Sequence, residues 1–418
     1  MVEIMSPASL PGKTGPYPVP DPRVAFMLAL GRALHGAGEP TNRLEELLEE
    51  VAERIGLRAQ FLITPTSIFV AFGPEDRQRI HLIRTEPSTT NLGNLSRLDR
   101  VVVDVMRGNL DVEKGLVALA EATRPRPARP ALGSMAGYAL ASACSARVLG
   151  GGGREIVTAG AIGAIIGAVA ALSVGRQTLQ RLFEPGAAFL AAVLLAVAAK
   201  VTGGVSTSIT TLASLIVLMP GMSLTNAITE LTARHLSAGT ARLMSAFMVF
   251  LAMGFGVALG SQLVRVTLGT VPSVDPVALP GWTIWVAVVL VSLSFGILLQ
   301  SARSDFPWVL LACLVGFTAS RFSANLLGPE LGMFLGAFAV GVLASAISRW
   351  ADKPSALIEV PGTLVLVPGS IGFRGITAML DHQVVSGLET AFRVLLIAMS
   401  LVAGLLMANL VLPRPRRL

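Results

Sequence analysis

Charge is scarce in this chain of 418 residues. Asp, Glu, Lys and Arg make up 14% of it, where soluble domains carry about 25%, and 53% of it is apolar. With a mean hydropathy of +0.68, the composition excludes an all-soluble enzyme and equally excludes a disordered chain. Only two cysteines occur, Cys144 and Cys313, both inside apolar runs without Cys or His at ligand spacing, so neither a disulfide framework nor a zinc site is indicated. The four histidines, His35, His81, His235 and His382, show no paired spacing and no HExxH. No metal or cofactor is expected. A GxxxxGK[ST] phosphate loop is missing, which excludes an ATP-driven pump encoded in this chain, and Gly150 to Gly153 lacks the lysine and reads as a loop. There is no GxSxG elbow. The start of the chain has no charged stretch followed by an apolar one, so it reads as a proline-rich lead-in over residues 1–21 and not as a secretory signal.

Charge is also unevenly spread. Residues 1–130 hold sixteen acidic and sixteen basic groups, so the last 288 residues carry the whole net charge of +7. Their cations stand singly between apolar runs, the pattern of membrane-flanking charges, and no nucleic-acid partner is expected.

Residues 22–123 read as a small α/β domain. A helix ends near Gly36 or Gly38, and a second follows Pro40, with Glu45, Glu46, Glu49 and Glu50 on one side and Leu44, Leu47, Leu48, Val51 and Ile55 at helical spacing. Runs at 58–63, 67–72 and 79–84, rich in Ile, Phe and Val and separated by Thr64-Pro65 and Gly73-Pro74, predict an antiparallel sheet. Two further helices are expected at 94–106, capped by Asn94 or Ser96, and at 112–122. The RPRPARP segment at 124–130 is a linker.

Beyond it, ten apolar runs of spanning or near-spanning length follow, at about 131–149, 156–175, 186–204, 209–229, 240–264, 282–300, 306–321, 329–348, 356–379 and 391–412. Such runs cross a bilayer as helices, because only a helix satisfies its own backbone there. The seventh, ended by Arg321, is the shortest. Placing residues 22–123 in the cytoplasm puts thirteen basic residues on the inner side against five to seven outside, which favours both chain ends inside and an even number of spans. The expected fold is an α-helical polytopic membrane protein of about ten transmembrane helices, preceded by a small cytoplasmic α/β domain and ended by a basic tail at 413–418.

The fourth and ninth runs resemble each other. LIVLMPGMSLTNAIT at 215–229 and TLVLVPGSIGFRGIT at 363–377 match at six of fifteen positions, among them Pro220 with Pro368 and Gly221 with Gly369. The offset of 148 residues defines two five-helix units, 131–265 and 282–412. Five is odd, so the second unit enters the membrane in the opposite sense, giving a 5+5 inverted repeat of the kind secondary transporters use. Paired Pro-Gly breaks free backbone carbonyls that lipid cannot satisfy and point to a midplane binding site. Polar residues near them complete a candidate substrate site: Lys200, Thr207, Thr211 and Asn226 in the first unit, Glu359, Ser370 and Arg374 in the second. Each has a plainer reading. Lys200 snorkels, hydroxyls join helices and Arg374 anchors a helix end; in the functional reading Glu359 and Arg374, on either side of the second kink, meet a substrate's ammonium and carboxylate, or Glu359 carries the coupling proton. Gly163/Gly167, Gly256/Gly260 and Gly332/Gly336 form Gly-x-x-x-Gly pairs that suit a compact bundle or a homo-oligomer.

The order of these features resembles the threonine/serine exporter family of ThrE type. The resemblance rests on ALHGAGEPTNRLEELLEEVAERIGL at 33–57, FLITPTSIFVAFG at 61–73 and the two Pro-Gly segments, and it runs from about residue 22 to the end. The family's Gly-x-x-x-x-Arg-x-Glu opening maps onto Gly38, Arg43 and Glu45, and its strand motif onto Thr64, Pro65 and Thr66. What the resemblance implies is export of threonine and serine across the bacterial inner membrane, driven by the proton motive force. Split-gene relatives imply small dicarboxylates such as succinate as the alternative cargo. A membrane-tethered hydrolase built on His35 and Glu39 is the reading from another class, and a helix end followed by a helix start explains HGAGEP more simply.

Overall fold

The computed structural model describes residues 21–86, 90–124, 131–367, 369–380 and 383–413. The lead-in to residue 20, the linker after Arg124, Pro368, His382 and the tail beyond Pro413 lie outside the described residues.

The N-terminal unit contains α1 (Pro22–Gly36), α2 (Thr41–Arg54), β1 (Ala59–Thr64), β2 (Ser67–Phe72), β3 (Arg79–Arg84), α3 (Leu92–Met106) and α4 (Val112–Ala122). Asp21 caps α1 by accepting the Arg23 N–H at 2.9 Å. The strands form an antiparallel meander in chain order, with Phe61 opposite Val70 and Val70 opposite His81. Alternation sends Phe61, Ile63, Ile68, Val70, Phe72 and Ile83 into the core. One expectation needs correcting. The cap of α3 is Asn91, whose Oδ1 accepts the Asn94 N–H at 2.9 Å, and neither Asn94 nor Ser96 fills that role. The helix starts earlier because Asn91 already offers the side-chain acceptor that an N-terminus needs.

The remaining elements are helical: α5 (Ala131–Val148), α6 (Gly153–Ser173), α7 (Gln177–Arg181), α8 (Phe183–Thr202), α9 (Thr207–Ser214), α10 (Gly221–Thr232), α11 (Leu236–Leu268), α12 (Thr283–Leu298), α13 (Phe306–Leu327), α14 (Pro329–Trp350), α15 (Ala356–Leu366), α16 (Gly369–Leu380) and α17 (Val384–Val411). Among the described residues, seven helical segments are long and apolar enough to cross a membrane, or eight when the bent pair α9–α10 is taken as one span. The apolar α12 has 16 residues and is shorter than these. The run that ends on paper at Arg321 continues to Leu327, with the Arg321 guanidinium 5.8 Å from the Phe317 ring centroid. Outward side chains such as Phe255, Phe392 and Leu410 are 62%, 64% and 74% exposed, a surface that lipid tolerates and water does not.

All three Gly-x-x-x-Gly pairs are used inside this chain. Gly163 and Gly167 let α6 close on α5, Gly256 and Gly260 let α11 close on α8, and Gly332 and Gly336 let α14 close on α13. Packing between helices repeats itself: α8 lies on α11 and α14 on α17, α10 lies on α11 and α16 on α17, and α10 reaches α17 as α16 reaches α11.

The N-terminal unit is built into the bundle. Phe26, Leu30, Leu48 and Leu95 share one core with Val309, Cys313, Leu357 and Val360 of α13 and α15. At that face the Leu92 N–H donates to the Leu299 carbonyl at 2.9 Å, and Arg107 pairs with Asp352 at 3.4 Å.

Candidate functional site

A proline disfavours the helical conformation in the residue before it. Met219, before Pro220, is accordingly extended (φ −65°, ψ 126°), and so is Val367 (φ −60°, ψ 130°) at the matching position of the second segment. Pro220 is the N-cap residue of α10, and five residues earlier, at Leu215, the chain bends by 49° between α9 and the segment Ile216–Thr232. The two interruptions meet. Gly221 is so close to Val367 that a Cβ on it would overlap Val367 Cγ1, and that Cβ would stand 3.4 Å from the Gly369 Cα. A Cβ on Gly369 would in turn meet the Met219 Cβ at 3.2 Å. Each pre-proline side chain therefore packs on the other segment's glycine.

Next to this crossing, a cavity of about 380 Å³ opens between α2 of the N-terminal unit and the bundle helices α10, α15 and α17. Asn42, Arg43, Glu46 and Glu50 line it from α2, Met222, Thr225, Asn226 and Thr229 from α10, Glu359 and Thr363 from α15, and Asn409 from α17. Arg43 is its electrostatic centre. Its guanidinium lies 3.3 Å from Glu39 and 3.4 Å from Glu359, and donates to Ser355 Oγ at 2.8 Å. Burial alone would lower the pKa of Arg43. The carboxylates of Glu39, Glu359, Glu46 and Asp99 outweigh that burial and hold the pKa above the ordinary arginine value.

Two further ties fix α2 against the bundle. Glu230, fully buried near the end of α10, accepts from Thr41 Oγ1 at 2.8 Å and from Arg242 at 2.9 and 3.0 Å. Glu45 lies 3.2 Å from His235 Nδ1 and accepts the Ile63 N–H at 2.6 Å. Burial raises the Glu45 carboxyl above its usual range, and the Ile63 N–H and His235 pull the other way.

Of the candidate residues, the structure brings Gly221 and Gly369 together beside Pro220, and sets Asn226 and Glu359 in one cavity. Pro368 lies outside the described residues. Lys200 reaches the Leu268 carbonyl at the opposite end of the bundle, and Thr207 lies 3.4 Å from Ser273 there. Thr211 and Ser370 are half-buried and do not line the cavity. Arg374 is exposed on α16, away from Glu359's cavity. Sequence reasoning missed Asn42 and Glu230 and the cavity-lining roles of Glu39 and Arg43, and the acidic side of α2 looks like an ordinary solvated face.

The chain is thus a multi-pass helical protein with a charged cavity walled partly by its N-terminal unit. Residues 25–264 match the family described as "Putative threonine/serine exporter", and residues 284–411 match "Threonine/Serine exporter, ThrE". The chain belongs to this exporter family. It is similar to pheromone-regulated membrane protein 10 of Candida albicans (26% identical, 88% of this chain, 34% of that one) and of Saccharomyces cerevisiae (26%, 88% and 48%). It is likewise similar to an uncharacterised protein of Schizosaccharomyces pombe (26%, 89% and 45%). The chain thus spans about a third to a half of the length of these relatives. No solved structure matches it.

Proposed function

We propose that the protein is a secondary active exporter of small hydrophilic amino acids, threonine and serine first, which works by alternating access across a bacterial inner membrane with its N-terminal unit and C-terminus in the cytoplasm. The observation that carries this reading is the reciprocal crossing of the two Pro-Gly breaks beside a cavity of mixed charge. Broken helices that meet inside a bundle are where secondary transporters bind cargo.

Ten crossings arranged as a 5+5 inverted repeat underlie the mechanism. The repeated helix pairings support this arrangement, and so does one pair of similar contacts, offset by 148 residues at the glycines and by 149 at the residues they touch. Gly256 lies against the Pro185 carbonyl and Ala188, while Gly404 lies against the Phe334 carbonyl and Ala337. Helix ends support it as well. The ends of α10, α12 and α14 and the start of α15 meet the N-terminal unit, while Arg147 at the end of α5 bonds Thr283 at the start of α12 on the other side. In this reading the two halves rock about the crossing, and protons drive the cycle.

Charge favours one cargo class. Glu39, Glu46, Glu50 and Glu359 line the cavity against Arg43, a balance that repels a dicarboxylate and suits a molecule carrying an ammonium group. The shared core speaks against a tethered hydrolase, since the N-terminal unit borrows part of its interior from α13 and α15. Counterflow of labelled threonine in proteoliposomes, with and without a pH gradient, tests the proposal. Threonine exchange that succinate does not inhibit is the expected result, and no exchange under either condition refutes it.

A further inference from the structure

Arg43 and Asn42 belong to the N-terminal unit, yet both side chains face the bundle. Arg43 is held at 3.4 Å from Glu359 of α15 and at 3.3 Å from Glu39. Asn42 lines the same cavity, is 8% exposed, and its buried Oδ1 has no hydrogen-bond partner among the described residues. A buried amide oxygen left unmet is unfavourable, and a donor on a bound molecule would relieve it. The space beside it, about 380 Å³, is of the size of small-molecule sites.

We infer that α2 carries cargo-recognition groups: a zwitterionic α-amino acid docks with its carboxylate on Arg43 and its ammonium on Glu359, parting that ion pair, while Asn42 Oδ1 accepts from the ammonium or a side-chain hydroxyl. This assignment rests on the exporter reading. Its logic is charge replacement. Without cargo, Arg43 and Glu359 satisfy one another, and neither is left buried and alone. A zwitterion offers each a substitute partner in one step. A plain amine replaces only Arg43 and a hydroxy acid replaces only Glu359, so each leaves one member of this half-buried pair without a cargo partner and binds less well than the zwitterion. Glu39 keeps hold of the guanidinium throughout, which fixes the fork's direction. The N-terminal unit then becomes a working wall of the transport site.

The test is selectivity in proteoliposomes of the full chain. Labelled threonine is exchanged against threonine, against threoninol, which has the amine and no carboxylate, and against 2,3-dihydroxybutyrate, which has the carboxylate and no amine. In Arg43→Gln the preference for threonine over threoninol should fall about ten- to a hundredfold, with the preference over the hydroxy acid retained. Glu359→Gln should do the opposite. A variant that merely disturbs packing lowers exchange of all three alike, and unchanged selectivity in both variants overturns the assignment. Should Arg43→Gln fail to fold, Arg43→Lys, which keeps the charge and loses the two-pronged fork, gives the same readout with a smaller fall. If wild type exchanges no amino acid, the exporter reading fails and takes this assignment with it. If wild type exchanges threonine and the variants keep its selectivity, only the assignment fails.

Discussion

Val367 lies against Gly221, and the matching residue Met219 lies against Gly369, so the two interrupted segments clasp each other through the side chain that precedes each proline. The cause is local. Proline keeps Met219 and Val367 extended, which swings each of these side chains off its helix, and the glycine that follows each proline leaves the hollow that receives the other.

Gly221→Ala should therefore be costly. The new methyl would overlap Val367 Cγ1, and relieving that overlap shifts one segment against the other at about 1–3 kcal/mol, as overpacked cores do. Thermal unfolding of the detergent-solubilised protein should show the loss, and Val367→Ala in the same chain should recover most of it. Gly369→Ala, whose methyl meets the Met219 Cβ at 3.2 Å, should be milder. Equal effects without rescue would mean that the clasp is not what the glycine serves.

Gly256 and Gly404 provide a second pair. A Cβ on Gly256 would run into the Pro185 carbonyl, and one on Gly404 into the Phe334 carbonyl. Backbone cannot turn aside as a flexible side chain can. Alanine at either position should force α11 from α8, or α17 from α14, with similar losses of roughly 1–3 kcal/mol in folding stability. Comparing the two variants by thermal unfolding checks this, and a large loss at one site with none at the other would break the equivalence of the two contacts.

Much of this was legible in the sequence, and what was not has a physical reason. Strand alternation and the leucine spacing of α2 are local patterns, so β1 to β3 and the first helices follow from them. The paired Pro-Gly steps stood out because two rare residues recurred together at a fixed offset. The Arg43–Glu359 pair could not be read that way, since its members are 316 positions apart and no local period connects them. Lys200 and the hydroxyls after it were legible as polar but not as to place. They lie at the far end of the bundle, where Lys200 and Thr202 spend their donors on backbone carbonyls. Glu230 carried a usable signal, a carboxylate at the border of an apolar run, that only its burial explains.

Stability should depend on pH through His35. Burial lowers its pKa from the ordinary 6.5, with Arg242 adding to the shift and the Thr64 carbonyl, 3.2 Å from Nε2, opposing it. The folded protein thus prefers the neutral ring, and the unfolded chain binds the proton more readily. The contribution of His35 is complete above pH 6.5 and is lost as the pH falls through the lowered folded value. Glu45 runs the other way: its raised pKa gives a contribution complete below its ordinary 4.5 and lost as the pH rises through the folded value. Chemical denaturation between pH 4 and 8 should show a shallower acid decline in His35→Gln than in wild type, and parallel curves would exclude His35 as the source.

Glu230 makes the sharpest structural prediction. The residue before α2 is Pro40, which has no side-chain acceptor to offer, and the helix has no side-chain cap of its own. A carboxylate from the bundle fills the vacancy. Glu230 Oε1 accepts the Thr41 N–H at 3.3 Å and the Thr41 hydroxyl at 2.8 Å, and it places negative charge at the positive end of α2. Arg242 neutralises it from the other side. Glu230→Ala leaves Arg242 without this partner and the first turn of α2 without an acceptor, and removal of one member of a buried pair costs about 3–5 kcal/mol. The lower end is expected, because Arg242 is 20% exposed and regains water. Thr41→Ala keeps the ion pair and should cost only about 1 kcal/mol. Hydrogen exchange distinguishes a cap from simple filler: the amides at Thr41 to Leu44 should exchange faster in Glu230→Ala while those of β2 keep their protection. If α2 stays protected and the melting temperature does not move, Glu230 does not anchor the helix that carries Arg43, and the N-terminal unit is held to the bundle by its apolar core alone.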